Sequence, residues 1–551
     1  MFSKLCSSLT ILLTVLLFAR IPVFAQKFFP DDPMLIDRDN LVDAGEPRVM
    51  KLSDYYDFLN NTFSSPGDPS KKPAANANTL GEVPDSSWFQ NRHGQKRMTT
   101  EELVRGPNTG NGPSTTERWI VTEGKTEGIT PGFRIRDSRG DHYVIKFDPL
   151  TNPEMATAAE VISTKFFYAM GYNVPENFLV FFRRDDLSVD KAAEISVGLG
   201  PKRRMTETDL DQLLARTSMT SDKRYRAVAS KVIEGRPIGP FRYFGTRSDD
   251  PNDVIPHEHR RELRGLKVFS AWLNHDDSRA VNTQDSVVNA GGRRYVRHYL
   301  IDFGSTLGSG SVTAQKPRAG AEYLWEPWPV FRRIMTIGLW DSGWIRVRYP
   351  DLPSIGRFES KTFEPQNWKP EYPNSAFDNA LPDDCYWAAK IVMAFTDDDI
   401  GAVVRTGGLT DSDGEQYLIQ ALIERRNRIG RYYFDQMLAL DNFALDENVV
   451  RFAHLASQYR FAEQPENYTV SWFRFDNAKN EKTTIGNEVP VKGLTFAVPP
   501  ELMSDGTQYF GVEIKDSTKR GVKGETPAVS LFLHRLSPGR IIGIERTWNV
   551  Q

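Results

Sequence analysis

Two kinds of hydrophobic pattern alternate along this chain. Residues 118–122, 132–136 and 143–147 have the two-residue period of β-strands, and Asp137-Ser138-Arg139-Gly140 supplies the turn between the last two. A further strand is predicted over 178–182. From about residue 441 strand patterns return, with turn residues between them, over 468–476, 494–498, 509–515, 529–534 and 541–546.

Helical periodicity fills the region between these two strand-rich parts. A helix is predicted over 153–170, opened by Pro153 and closed by Gly171. Its apolar residues recur at helical spacing, namely Ala156, Ala159, Ile162, Phe166 and Ala169. Further helices are predicted over 207–215, 258–273, 386–395, 397–405 and 415–438. The pattern therefore predicts an α+β chain: a small sheet with one helix, a mostly helical part, and a separate β-sandwich-like domain.

The N-terminal part reads as a targeting signal followed by irregular chain. Lys4, the apolar run 9–18 and the small or neutral residues before Gln26 predict a signal peptide over 1–25 and hence export. The apolar run is shorter than a comfortable bilayer span, so we expect no transmembrane segment after the signal is removed. Residues 64–79 are rich in Ser, Pro, Lys, Ala and Asn, which is typical of a flexible linker.

Composition and charge exclude several classes of protein. A content of 39% hydrophobic and 26% charged residues is typical of a globular chain, not of a disordered or multi-span membrane protein. Removal of residues 1–25 takes away Lys4 and Arg20 and no acid, so the net charge goes from −3 to −5 and no nucleic-acid partner is expected. Cys385 is then the remaining cysteine, so neither an internal disulfide nor a cysteine-rich zinc site can form.

Chemistry is concentrated in the middle of the chain. Asp277 is followed five positions later by Asn282, and Asp302-Phe303-Gly304 comes after an apolar strand. The first aspartate can accept a proton from an attacking hydroxyl, while Asn282 and Asp302 can hold metal ions against phosphates. Arg279, two positions past Asp277, stands where the enzymes that this loop resembles often have a lysine that steadies the transferred phosphate. The alternative is a polar loop after a helix, in which Asp276 or Asp277 caps a turn.

The first sheet carries matching residues. Lys146 ends the strand Tyr143-Val144-Ile145, where a lysine can orient α- and β-phosphates. Glu160, fourteen positions on and in the middle of a helix, is the expected partner, and Glu154 in the first turn is the second choice. An ordinary edge-strand lysine is the structural alternative.

Glycines between the first two strands are the candidate phosphate loop. Gly124, Gly128 and Gly132 lie in 123–132 and would let backbone N–H groups approach a phosphate closely. Their spacing differs from G-x-G-x-x-G, and a glycine-rich hairpin can be no more than a turn.

Other polar and aromatic clusters favour structural roles. We interpret Arg260, Arg261 and Arg264 as a solvated, carboxylate-paired helix face. Aromatic residues between 323 and 344 can bind sugar rings, but such residues more often contribute to a core; they are Tyr323, Trp325, Trp328, Trp340 and Trp344.

Together these motifs resemble atypical protein-kinase-like enzymes, in particular the HipA-like, CotH-like and secreted-pathway kinases. The resemblance rests on Lys146, Glu160, Asp277, Asn282 and Asp302-Phe303-Gly304. Asp276 stands where the family usually has arginine, and no A-P-E follows the D-F-G. The resemblance implies a two-lobed kinase-like domain over 116–440, with lobes at about 116–190 and 220–440. An N-terminal segment over 26–115 precedes it, and a β-rich domain over 441–551 follows.

The function that this resemblance implies is phosphate transfer from ATP, with Mg²⁺ or Mn²⁺, to a hydroxyl on a protein, glycan or small molecule. The expected location is periplasmic, cell-surface or extracellular. Two alternatives stay open: a catalytically inactive scaffold that binds protein or glycan at the cell surface, and nucleotidyl transfer (AMPylation) on the same fold.

Overall fold

A computed structural model describes residues 26–29, 32, 39–124, 132–195, 202–504, 506–516, 526–535 and 540–548. The signal-peptide prediction and the tip of the glycine-containing loop, with Gly128, lie outside the described residues. The described part is a mixed α+β structure, as the sequence pattern predicts.

The first sheet has seven strands in the order β4-β7-β3-β2-β1-β5-β6. Neighbours are antiparallel except β1 and β5, which are parallel. The three strands predicted first, and the strand at 178–182, are confirmed within two residues at each end. The strands are β1 (Trp119–Gly124), β2 (Gly132–Arg136), β3 (His142–Phe147), β4 (Asn177–Phe182), β5 (Leu187–Ile195), β6 (Arg203–Arg204) and β7 (Tyr225–Lys231).

A three-stranded sheet follows, and its β9–β10 hairpin carries two of the candidate residues, Asn282 and Asp302, next to its ends. Its order is β10-β9-β8, with Thr283 opposite Leu300 at the open end of the hairpin. The strands are β8 (Arg236–Gly239), β9 (Thr283–Ala290) and β10 (Arg293–Leu300). Of these, the sequence predicted only the apolar end of β10.

Helices enclose the largest apolar core of the described chain. It joins α3, from the sheet side, to the long helices α5, α8, α9 and α10. The helices in the described chain are α1 (Asp54–Phe63), α2 (Thr100–Arg105), α3 (Met155–Ala169), α4 (Glu207–Leu214), α5 (Arg261–Leu273), α6 (Pro327–Met335), α7 (Ser375–Asp378), α8 (Pro382–Ala394), α9 (Asp397–Arg405), α10 (Ser412–Asp435), α11 (Leu455–Gln458) and α12 (Pro500–Ser504).

Helix α3 lies between the seven-stranded sheet and the helical core, and nearly all of its side chains are buried. Its end at Ala169 has a steric cause. Gly171 has φ +118, and a Cβ at this position would lie 2.2 Å from the Phe89 ring. No L-residue fits there without displacing Phe89, so the glycine fixes where the helix ends.

Two antiparallel sheets form the C-terminal part of the described chain and contribute to one apolar core. Their orders are β11-β12-β15 and β14-β13-β16-β17-β18. The sequence pattern missed the long, mostly exposed β14. The strands are β11 (Leu440–Asp446), β12 (Val449–His454), β13 (Asn467–Asp476), β14 (Glu481–Lys492), β15 (Thr495–Ala497), β16 (Tyr509–Lys515), β17 (Ala528–His534) and β18 (Arg540–Arg546).

The segment 64–79 contradicts the prediction of a free linker. It has no regular secondary structure, but it is hydrogen bonded along the start of α5. Ala75 N donates to His259 O at 2.8 Å, and Lys72 O accepts from Arg264 at 2.8 Å. Its composition disfavours helix and strand, which leaves its backbone groups available to bind buried side chains of α5.

The arginines of α5 are the reason for this docking, and their interpretation as a solvated face was wrong. Arg260, Arg261 and Arg264 are buried. Asp384 on α8 accepts from Arg261 at 2.9 Å and from Arg264 at 3.1 Å. A buried charge needs a partner, and here the partner lies on another helix.

Among the described residues, no helix has both the length and the apolar character required to cross a bilayer.

Candidate functional site

Lys146 is the centre of the candidate site. Its Nζ lies 3.1 Å from both carboxylate oxygens of Glu160 and 2.9 Å from Asp302 Oδ1. Burial opposes the charge, but the two carboxylates prevail and raise the pKa of Lys146 above its usual value. The lysine is therefore a fixed cation on β3, which has β2 and β7 on either side, so the edge-strand alternative does not describe it.

Helix α3 selects Glu160, not Glu154, as the partner of Lys146. Glu160 is buried, and Asn177 at the start of β4 donates to its Oε1 at 3.1 Å. Glu154 precedes the helix with φ +70, and its carboxylate accepts from Thr410 N and Oγ1 at 2.8 and 2.9 Å. The sequence pattern did not indicate Asn177, which reaches the pair from the start of strand β4.

Asp302 presents its carboxylate to Lys146 from an unusual backbone conformation. Its φ is +63, in the left-handed region that few non-glycine residues other than Asn and Asp adopt. Gly304, two positions on, does not have a positive φ. A Cβ at Gly304 would lie 2.9 Å from Ser311 Oγ and 3.3 Å from Glu160 Oε2, so Gly304 is required for space.

The β9–β10 hairpin explains the spacing between Asn282 and Asp302. Asn282 immediately precedes β9, and a single residue, Ile301, separates the end of β10 from Asp302. Ile301 N donates to Asn282 O at 3.0 Å, which holds the two ends of the hairpin side by side. Residues twenty positions apart therefore reach the same edge of the site.

Asp277 lies in the loop between α5 and this hairpin. Asn282 Nδ2 donates to the Asp277 carbonyl oxygen at 2.8 Å, which closes the loop. Burial raises the pKa of the Asp277 carboxyl to about 7, despite the opposing charge of Arg279. A carboxyl with this pKa can exchange a proton near neutral pH.

Arg279 is directly paired with the Asp277 carboxylate. Its Nη1 also lies 3.6 Å from Glu371 and 3.7 Å from Asp54. These acids raise the pKa of Arg279 against the effect of burial. To steady a phosphate, as the sequence predicts, Arg279 would have to leave Asp277. Glu371 and Asp54 are distant in sequence and carried no signal.

His275 and Asp276 are buried supports of the loop. Burial lowers the pKa of His275 to about 4, so its ring is neutral at physiological pH. The ring centroid lies 5.8 Å from Phe303, which stacks on Phe167 of α3 at 4.8 Å. Asp276 Oδ1 accepts from Gln315 at 2.8 Å, which is a structural role and not a turn cap. The aromatic contacts join α3 to the Asp302 turn.

The glycines of the candidate phosphate loop differ in their surroundings. Gly132 stands directly opposite Lys146 in the β2–β3 register, so the end of this loop adjoins the site. Gly124 ends β1, where a Cβ would lie 2.7 Å from Ile195, so its small size serves packing. Gly128 lies outside the described residues, and its predicted role stays a prediction.

Comparison with known proteins adds little. No protein-family model matches the chain, and no curated protein matches it. Among solved structures, the chain is similar to a crystal structure of the Helicobacter pylori proinflammatory kinase CtkA, over 58% of this chain and 97% of that chain. The sequence identity is 11% and the TM-score is 0.31, values too low to establish a shared fold or function.

Proposed function

We propose that the protein is an exported, two-lobed, kinase-like enzyme that transfers phosphate from ATP to a hydroxyl acceptor. The observation that carries the proposal is the position of Lys146 Nζ between Glu160 and Asp302. A lysine held in this way, beside an Asp277–Asn282 loop, is the arrangement that kinase-type phosphoryl transfer uses. In this proposal the seven-stranded sheet with α3 forms one lobe, and the helices from α5 to α10 form the other.

Lys146 would orient the α- and β-phosphates. Its charge is assured by two carboxylates, and the side chain is 19% exposed, so a phosphate can approach it. Glu160 is nearly inaccessible and serves to hold the lysine. Because phosphoryl transfer needs positioning and charge more than covalent chemistry, a fixed cation at this place is a major contribution to rate.

The oxygen atoms present suit a magnesium or manganese ion. Magnesium is commonly bound by one or two carboxylates together with substrate phosphates and waters. Asp302, whose side chain is 46% exposed, and Asn282, just before β9, would hold the ion. The described residues contain no cluster of three or more His, Cys, Asp or Glu that would bind a metal without such phosphates. When bound, the ion would neutralise charge on the phosphates.

Asp277 would accept the proton of the acceptor hydroxyl or orient that hydroxyl. Its pKa of about 7 leaves a substantial fraction ionised at neutral pH. Arg279 would leave the aspartate and move to the transferred phosphate once an acidic ligand is present. The acceptor would then enter between Asp277 and the elements that carry Asp54 and Glu371.

The test is a thermal-shift titration of residues 26–551 with ATP and Mg²⁺ or Mn²⁺. A ligand that binds only the folded state adds about 2.7 kcal/mol at a hundredfold excess over its dissociation constant. We expect a metal-dependent rise in melting temperature that disappears in Asp302→Ala. Intact mass of a modified acceptor would then separate phosphate transfer from nucleotide transfer.

Asp190→Ala is the matched control. Asp302 pairs with a cation of the seven-stranded sheet, Lys146, and Asp190 likewise pairs with a cation of that sheet, Arg136, at 3.6 Å. Arg136 is at the opposite end of β2 from Gly132, and hence away from Lys146. This variant should keep the full nucleotide shift. Absence of a shift with any nucleotide in the parent protein would refute the proposal and favour the inactive scaffold.

A further inference from the structure

An exposed apolar surface follows the Asp302 turn in sequence and is not used by the proposed chemistry. It is formed by α6 and the loop after it, and its members are large apolar side chains at least half exposed. They are Trp328, Phe331, Ile334, Met335, Ile337 and Leu339. We call this set the Trp328–Leu339 surface.

The exposure is contiguous and not scattered. Ile337 is 91% and Leu339 88% exposed, and the rings of Trp328 and Phe331 stack at 5.6 Å. In α6 itself, Pro329 is the buried residue. Single exposed apolar residues need no explanation, but a run of this kind in a soluble chain marks an interaction site.

The surface extends onto α1. Phe63 lies 6.2 Å from Trp325, centroid to centroid, and the exposed Tyr55, Tyr56 and Leu59 are on the same helix as Phe63. Aromatic residues with a polar tip prefer the boundary between water and an apolar phase. The exposed apolar and aromatic side chains around α6 thus adjoin those of α1 through the contact between Trp325 and Phe63.

Charge decides between possible occupants. Residues 327–348 contain four arginines and one aspartate, a net charge of +3 in a chain whose net charge is −3. Arg333 is paired with Glu322 at 2.8 Å, and Arg346 lies 3.8 Å from Asp341 although its side chain is 77% exposed. Arg332 lies over the Trp328 ring at 4.9 Å. Exposed arginines among Trp, Phe, Ile and Met are the pattern of helices that lie in the interface of an anionic membrane.

We infer that the Trp328–Leu339 surface docks the protein on an anionic lipid bilayer. The apolar side chains would enter the boundary between headgroups and acyl chains, and Arg332 and Arg346 would contact phosphate groups of the lipids. The inference does not depend on phosphoryl transfer, because it uses none of the residues of the candidate site.

The test is co-sedimentation of residues 26–551 with vesicles of phosphatidylcholine alone or mixed with phosphatidylglycerol. We expect binding to the mixed vesicles, with a blue shift of tryptophan fluorescence. The double variant Ile337→Asn/Leu339→Ser keeps the charge and should bind at least about tenfold more weakly. Asn tolerates the left-handed backbone of Ile337, φ +50, better than a β-branched residue does, so this variant should fold.

Two comparisons make the test specific. Val254→Ser removes an apolar side chain that is 74% exposed elsewhere and should bind as the parent does. Arg332→Gln and Arg346→Gln should each weaken binding to the anionic vesicles about fivefold.

Other outcomes would overturn the inference. They are absence of sedimentation, equal binding to neutral vesicles, or a concentration-dependent dimer in light scattering that Ile337→Asn/Leu339→Ser abolishes. The last result would assign the surface to a second copy of the chain.

Discussion

Asp277 combines burial with an adjacent cation, and the ionisation of its carboxyl should make the proposed activity depend on pH. Burial raises its pKa to about 7, and the Arg279 charge moderates the shift. The proposed role requires the ionised carboxylate, which is lost as the pH falls through the pKa. His275, with a pKa of about 4, does not titrate in the same range.

We therefore expect kcat/KM to rise with pH and to level off above about 7. Below that pH, the value should fall about tenfold per pH unit, as for a single essential base. The measurement is a pH–rate profile with ATP and an acceptor, and Asp277→Asn should remove both the activity and the inflection. A profile that is flat between pH 5 and 8 would contradict the role of Asp277 as base; this range brackets the expected pKa.

At the level of single residues, the sequence pattern paired Lys146 with Glu160, as the structure does, but it did not indicate how the backbone presents Asp302. The order Lys146, Glu160, Asp277, Asn282, Asp302 was sufficient to group the residues. The left-handed conformation belongs to Asp302 and not to Gly304, because the space at Gly304 is limited by Ser311 and Glu160. Such crowding depends on residues from other elements and leaves no local sequence signal.

Helix α3 is the element that decides how Lys146 is held. Glu160 and Glu154 are both near Lys146 in sequence, but only Glu160 is on the side of the helix that faces the lysine. Phe167, about two turns after Glu160 on α3, stacks on Phe303 and so connects the helix to the Asp302 turn. The orientation of α3 therefore controls Glu160 and the Asp302 turn together.

This arrangement predicts different effects for two chemically equal substitutions on the same segment. Glu160→Gln should lower kcat by roughly tenfold or more, because Lys146 loses one of its two charged supports. Glu154→Gln removes a carboxylate that contacts Thr410 and should leave kcat close to the parent value. Steady-state kinetics of the two variants at saturating ATP would compare them, and equal losses would contradict the assignment of Glu160.

Element prediction succeeded where the hydrophobic period was strong and failed where partners came from afar. Helix α9 and strand β16 have the predicted bounds. The α5 arginines were misinterpreted because their carboxylate partner Asp384 lies 120 positions after Arg264. The hydrogen-bonded path of 64–79 was missed for the same reason.

The C-terminal sheets are joined to the helical part by a partly buried charge network. Lys390 of α8 lies 2.7 Å from Glu82 and 2.8 Å from Asp441 at the start of β11. Arg546, at the end of β18, lies 3.5 Å from the same Asp441. Although burial opposes ionisation, Lys390 and Arg546 hold the pKa of Asp441 at about 2.

A depressed pKa in the folded state contributes stability above the unfolded pKa and loses it as the pH falls. For Asp441, the change from 3.8 to about 2 corresponds to about 2 kcal/mol at neutral pH. Asp441→Asn should lower the free energy of unfolding by at least this amount at pH 7, and the difference should shrink between about pH 4 and pH 2.

Denaturant unfolding of both proteins across this range is the measurement. Asp446→Asn is the control, because Asp446 is on the same strand but more than half exposed in its pair with Arg451. It should change stability little at any pH. If Asp441→Asn were as stable as the parent at pH 7, the network would not join the two parts energetically.

The isolation of Cys385 makes the molecule suitable for a different kind of measurement. Its thiol is buried in α8, and burial raises its pKa to about 12. A thiol reagent meets neither an accessible sulfur nor a thiolate until the helical core opens. In the chain that begins at Gln26, Cys385 is the sole cysteine. The rate at which a mass tag attaches to Cys385 therefore reports how often this core opens, and the measurement needs no engineered label.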